Sequence, residues 1–126
     1  MKIKNSSVLI TGGASGIGRI MGRMALERGA SRLIIWDINP QNIALTISEL
    51  SRIGKVNGYV VDVSRNEMVV EAFNKVKAEC GEIDILINCA GIVTSNKTFD
   101  KMTSDEIVRT MNINTIAPMF VARAML

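Results

Sequence analysis

The short apolar run Val8-Leu9-Ile10 leads at once into Thr11-Gly12-Gly13-Ala14-Ser15-Gly16-Ile17-Gly18, and a helical pattern follows. No other stretch restricts the fold as tightly, because a chain passes this abruptly from a buried strand into a helix only through a turn that glycines permit. Gly12 can leave the strand with a positive φ. Gly16 removes the Cβ that would stand between backbone and a ligand, and Gly18 lets the new helix pack closely. A helix opening near Ile17 aims unpaired N–H groups and the positive end of its dipole out of the turn, which makes a cradle for a pyrophosphate. Glycine-rich turns of this length also serve as plain loops. Context separates the two readings: a strand precedes, a helix follows, and an acid, Asp37, ends the next apolar run about 20 residues on.

The rest of the chain alternates in the same way. Apolar, β-branched runs predict strands over 7–10, 32–36, 55–61 and 83–88, each of the kind buried in a parallel sheet. Helical spacing predicts helices over 16–28, 40–53, 65–80 and from 104 to the end. Ile43, Ile47, Leu50 and Ile53 mark the buried face of the second helix, and Val69, Ala72, Phe73, Val76 and Cys80 that of the third. Gly29, Gly54 and Gly81 read as stop signals, Pro40 as a first-turn residue, and Ser104 with Asp105 and Glu106 as a capped start. A doubly wound α/β sheet with strands in the order third, second, first, fourth satisfies the pattern. Its switch point falls between the first and fourth strands. One sheet edge then collects the glycine turn, Asp37, Asp62 and the run from Asn88 to Gly91.

Composition excludes several alternatives. The chain is 48% hydrophobic and 21% charged, ordinary for one packed α/β domain, and at 126 residues it is too short for two. The net charge of +3 is dispersed and aromatics are only 4%, so neither the basic stripe nor the stacking platform of a nucleic-acid site is expected. With no histidine, Ser-His-Asp and Cys-His arrangements and histidine metal sites are excluded. Cys80 and Cys89 stand nine positions apart with no further thiols, which is not a metal motif and fits a reduced, cytoplasmic setting. Met1 to Ser7 is polar, unlike a signal peptide, and no run approaches the roughly 18 apolar residues of a membrane span.

The spacing Thr-Gly-x-x-x-Gly-x-Gly, Asp37 after Trp36, Asp62-Val63, Asn88-Cys89-Ala90-Gly91, and Asn114 within Met111 to Thr115 occur in that order. Together they resemble the short-chain dehydrogenase/reductase family. The wording of Leu33 to Asn39 and of Tyr59 to Ser64 is similar to the branch containing retinol and 17β-hydroxysteroid dehydrogenases. The resemblance spans residues 1–126 as an NAD(P)-binding, Rossmann-type domain, but covers only the first half of the family's fold; the carboxyl-terminal strands are absent. It implies hydride transfer between a nicotinamide dinucleotide and a secondary alcohol or ketone. The family's catalytic serine and Tyr-x-x-x-Lys pair follow the segment of Asn114 and are not in this sequence. Tyr59, the one tyrosine, is followed four positions later by Val63 and cannot replace that pair.

Individual residues carry a functional and a structural reading side by side. Asp37 can accept both ribose hydroxyls of an adenosine and repel the extra phosphate of NADP, or it can cap the helix before Pro40. Neither Ser15 nor Ile38, the neighbouring cofactor-facing positions, is basic, so NAD is expected over NADP. The resemblance implies that Asp62, assisted by Val63, receives the adenine amino group; in isolation Asp62 reads as a solvated strand end. Ala90 and Gly91 offer a ribose bare backbone, while Asn88 either meets the cofactor or braces neighbouring strands. Cys89 fills a small apolar slot beside the crevice in preference to acting as a reactive thiol. Thr11 stabilises its turn in preference to touching substrate. The resemblance places Asn114 in a bent helix, holding a water in the catalytic proton path; Asn112 and Pro118 make the segment irregular in any case. Hydroxyls at Thr94 and Ser95 can meet a carbonyl, but no proton donor is evident. The chain alone is therefore expected to bind a dinucleotide, to self-associate through an open fourth strand and the last helix, and to lack turnover. A nucleotide-binding module or a scaffold without chemistry are the alternatives.

Overall fold

The protein is described by a computed structural model covering residues 1–94 and 96–126. Ser95, one of the two expected hydroxyls, lies outside the described residues. Strands β1 (Ser7–Thr11), β2 (Arg32–Asp37), β3 (Val56–Val60) and β4 (Ile85–Asn88) alternate with helices α1 (Gly16–Glu27), α2 (Pro40–Leu50) and α3 (Asn66–Cys80). A 3₁₀ turn (Phe99–Lys101) then precedes α4 (Ser104–Met111), a π-helical turn (Asn112–Ile116) and α5 (Ala117–Met125).

The sheet is parallel throughout, in the order β3-β2-β1-β4, as the alternation predicts. Residues of a strand point alternately to opposite faces, and here both faces are apolar. Val8, Ile10, Leu33 and Ile35 meet Ala25 and Leu26 of α1 and Ile43 and Leu50 of α2 on one side. Leu9, Ile34 and Trp36 meet Val69 and Val76 of α3 and Ala117 and Val121 of α5 on the other. Trp36 is fully buried there, with Phe73 edge-on at a centroid distance of 6.5 Å. Near-continuous apolar strands are what a sheet covered on both faces requires.

The differences from expectation sit at element ends. Asn39, not Asp37, is the N-cap of α2: its side chain accepts from Asn42 N at 3.0 Å. Thr103, not Ser104, caps α4, in a reciprocal box with Glu106. Helix α2 stops at Leu50, which leaves Ile53 exposed, and Gly54 is there for packing, since a Cβ would lie 2.9 Å from Leu26 Cδ2. The fourth strand starts at Ile85 because Asp84 turns its carboxylate back to accept from Ser7 N at 2.8 Å. The helix expected from 104 onward, with a bend at Asn114 and an irregular segment around Asn112 and Pro118, is divided there by the π-helical turn. The Pro118 ring has no N–H and crowds the carbonyl four residues before it, that of Asn114. The wider turn relieves this, and Ala117 N donates five residues back to Asn112 O. Among the described residues no helix is long and apolar enough to cross a membrane.

Candidate functional site

A cleft of about 470 Å³ opens at the carboxyl ends of the strands, where the order reverses between β1 and β4. Ligands of open α/β sheets occupy this position, and the volume suits a small organic molecule.

One wall is the glycine turn. Gly12 leaves β1 with φ of 66° and donates to Trp36 O at 2.7 Å; a Cβ on it would stand 2.9 Å from Ala90 Cα, so the ends of β1 and β4 approach as only glycine allows. Gly18 packs against the turn itself, with any Cβ 2.2 Å from Gly12 O. Gly16 is the opposite case: φ is 51° and a Cβ would meet nothing within 4 Å, because the position faces the open cleft. Ser15, also on the cleft, stands in extended geometry before α1 with no side-chain cap, and no acid occupies the first turn. The helix's first N–H groups therefore remain available to an anion, with Ile17 and Gly18 beside them.

The opposite wall brings together Asp37, Ile38, Asp62 and Val63, with Ala90 and Gly91 at the end of β4. The Asp37 carboxylate already accepts from Ala14 N and Asn39 N, both at 3.1 Å, and so ties the glycine turn to the β2–α2 loop. Each of its oxygens keeps a lone pair for a further donor. Asp62 is tied by one oxygen only: Oδ1 accepts from Ser64 N at 3.0 Å and Ser64 Oγ at 2.6 Å. Cys89 lines the cleft and packs, partly buried, against the apolar cluster of β1 and β2.

Three expected residues, Thr11, Asn88 and Asn114, are not among those lining the cleft. Thr11 is buried, and its Oγ accepts from Cys89 N and Ala90 N, both at 3.1 Å; it braces the exit of β4, not its own turn. Asn88 donates from Nδ2 to Pro118 O at 3.4 Å, linking β4 to α5 instead of to a neighbouring strand. Asn114 sits in the π-helical turn and clasps one backbone unit of Ile92, accepting from its N and donating to its O, both at 2.8 Å. One Nδ2 proton and one Oδ1 lone pair remain for other partners.

That clasp is the first of three. Thr110, one helical turn earlier, meets Thr94, Oγ to Oγ at 2.5 Å, and since the Thr110 proton is given to Glu106 O, Thr94 is the donor. The Thr94 hydroxyl is thereby occupied. One turn earlier again, Glu106 accepts from Lys97 Nζ at 2.8 Å. Lys97, together with the Thr103 backbone N–H, holds the Glu106 carboxyl below its ordinary range. Glu106, Thr110 and Asn114 form one stripe of the helix and fasten the β4–α4 loop to it. The adjoining stripe, Asp105, Arg109 and Ile113, faces outward along the cleft and its neighbouring recess. Arg109 and Ile113, with Ile92 and Trp36, are lining residues that sequence reasoning missed. The four-residue spacing of Arg109 and Ile113 places them on one face, but nothing local says that this face meets the cleft.

Tyr59 is remote from the cleft. On β3 it donates to Glu79 Oε2 at 2.5 Å and lies 3.5 Å from Cys80 Sγ. Burial, then the hydrogen bonds to Cys80 and Glu79, push its pKa up from 10.0, so it holds its proton.

Comparison with known proteins agrees with this geometry. The family model described as short chain dehydrogenase matches residues 6–126. Estradiol 17-beta-dehydrogenase 11 of Pongo abelii is 38% identical over 121 residues, which are 94% of this chain and 39% of that protein. A short chain dehydrogenase from Mycobacterium smegmatis superimposes with a TM-score of 0.90 at 30% identity, over 97% of this chain and 50% of that one. NAD+-bound xylitol dehydrogenase does so with a TM-score of 0.92 at 25% identity, over 99% and 48%. The chain thus spans about two fifths to one half of the length of these proteins. With the glycine turn, the strand order and a family match over nearly its whole length, this chain belongs to the short-chain dehydrogenase family.

Proposed function

We propose that this chain is the NAD-binding half of a short-chain dehydrogenase that interconverts secondary alcohols and ketones. The observation that carries this reading is the convergence of an uncapped helix N-terminus, the open Gly16 and the carboxylates of Asp37 and Asp62 on one cleft. The α1 N-terminus and the turn from Gly12 to Gly18 hold the pyrophosphate. Asp37 accepts the adenosine ribose hydroxyls, and Asp62 with Val63 receives the adenine edge. Ala90 and Gly91 lie along the second ribose, on a loop that Thr11 and Asn114 keep in place. When bound, the nicotinamide supplies the hydride.

The proton is a separate matter. Hydride transfer to a ketone needs a proton donor within about 3 Å of the developing alkoxide. Asp37 and Asp62 stand at the adenosine end, Asn114 does not titrate, and Tyr59 is elsewhere. The chain by itself is therefore expected to bind dinucleotide without turnover. Exposed Met111 and Met119, with the outer edge of β4, support association with a second copy; sedimentation of a monodisperse monomer at about 10 µM would count against that part.

The test is calorimetric titration with NAD and NADP, followed by NADH consumption with a panel of ketones and steroids. The assay is run on this chain and on a polypeptide extended through a serine and Tyr-x-x-x-Lys segment of the family. Binding by both and turnover only by the longer protein is the expected result. Absence of dinucleotide binding, or equal turnover by the shorter chain, would overturn the reading.

A further inference from the structure

Arg109 is the one cation among the described residues lining the cleft, and it forms no ion pair with any described carboxylate. It also borders an adjoining recess of about 270 Å³, whose apolar walls are Ile38, Val108 and Ile113 and whose polar rim holds Asp62 and Asp105. Ile38 and Val108 are 66% and 55% exposed, and both line this recess. The stripe of Glu106, Thr110 and Asn114 pins the helix to the loop, and Arg109 on the adjoining stripe borders both the cleft and this recess.

The recess has the character of a slot for a flat, neutral, nitrogen-rich ring. Apolar walls suit its faces, and the Asp62 oxygen not used by Ser64 can accept from an amino group at its edge. A guanidinium stacks on such a face and is weakly enough hydrated to do so. A phosphate fits poorly, because two carboxylates face it with one guanidinium. We infer that Arg109 lies across the adenine ring of the bound dinucleotide and sets affinity for the adenosine end, which rests on the reading of the cleft as a dinucleotide site.

The experiment compares the parent protein with Arg109→Met and Arg109→Lys, using adenosine, AMP, ADP-ribose, NAD and NADP in NMR and calorimetric titrations. Arg109 is exposed, and unchanged thermal unfolding of the variants confirms that they are folded. Arg109→Met is expected to weaken all five by one common factor of about tenfold, with Arg109→Lys between the two. A loss confined to NADP would assign Arg109 to a phosphate and overturn the inference, as would a loss that spares adenosine. Unchanged affinities in Arg109→Met, with a parent that binds ADP-ribose, would overturn it while leaving the dinucleotide reading intact. A parent that binds none of the five would remove both.

Discussion

Replacing Thr11 by Val separates a brace from a ligand contact. The two side chains have nearly the same shape, so no cavity opens, but the acceptor shared by Cys89 N and Ala90 N disappears. An orphaned buried donor costs about 1–3 kcal/mol. Cys89 and Ala90 are only half-buried beside the cleft, so water relieves part of this, and about 1 kcal/mol for each donor is the appropriate end of the range. The sum, about 2 kcal/mol, corresponds to a fall in Tm of about 8 °C for a chain of this size. Thr11→Ser keeps the oxygen and loses one buried methyl, worth about 1 kcal/mol. Urea unfolding at constant slope, paired with calorimetry, measures both variants. The expected order is parent, Ser, Val. A valine variant within about 0.5 kcal/mol of the parent, or a serine variant less stable than valine, would refute the assignment of the hydroxyl to the β4 backbone.

The other expectations follow from the same geometry. Parent protein should bind NAD at least tenfold more tightly than NADP, a gap of about 1.4 kcal/mol, and Asp37→Ser should narrow it in parallel titrations; equal affinities in the parent would sink the role of Asp37. Gly16→Ala should stay folded, at a cost of about 1 kcal/mol for its positive φ, yet lose dinucleotide affinity, because its Cβ projects into open cleft. Gly18→Ala should instead fail in unfolding experiments, its Cβ colliding with the Gly12 carbonyl. Tyr59 has a raised pKa in the folded chain, so the native state holds the proton more firmly than the unfolded one. That contribution is complete below pH 10 and fades as pH rises above it. Tyr59→Phe should therefore flatten the alkaline loss of stability above pH 10, and an unchanged slope there would count against the partly buried hydroxyl as its source.

The fold was legible because its signals are local. Four apolar runs with helical spacing between them leave little choice but a covered parallel sheet, and Gly12, Gly16 and Gly18 carry their turn in the sequence itself. The acids at the carboxyl edge were legible for the same reason. Thr11 was not: its partners are 78 and 79 residues away, and a hydroxyl next to a glycine turn looks like part of that turn. Asn39 took the cap expected of Asp37 because the Asp37 carboxylate is drawn back to Ala14 N, a contact across 23 residues. The irregularity of the last helix had local signs in Asn112 and Pro118, but whether a proline ends, kinks or widens a helix depends on what its neighbours hold. Here Asn114 is held by Ile92. Arg109 escaped notice because facing the cleft is decided by the stripe beside it, not by the residue itself.

The three fastenings between the β4–α4 loop and the helix also act as a gauge of length. Four helical residues advance about 6 Å, and two extended residues about 6.6 Å, so the step from Ile92 to Thr94 matches the step from Asn114 back to Thr110. The loop runs antiparallel to the helix, two residues against four. A single inserted or deleted residue between Ile92 and Thr94 would put the two rulers out of phase and release one fastening whatever its side chain. A residue added beyond Lys97, in the turn Phe99–Lys101, would leave all three fastenings in register.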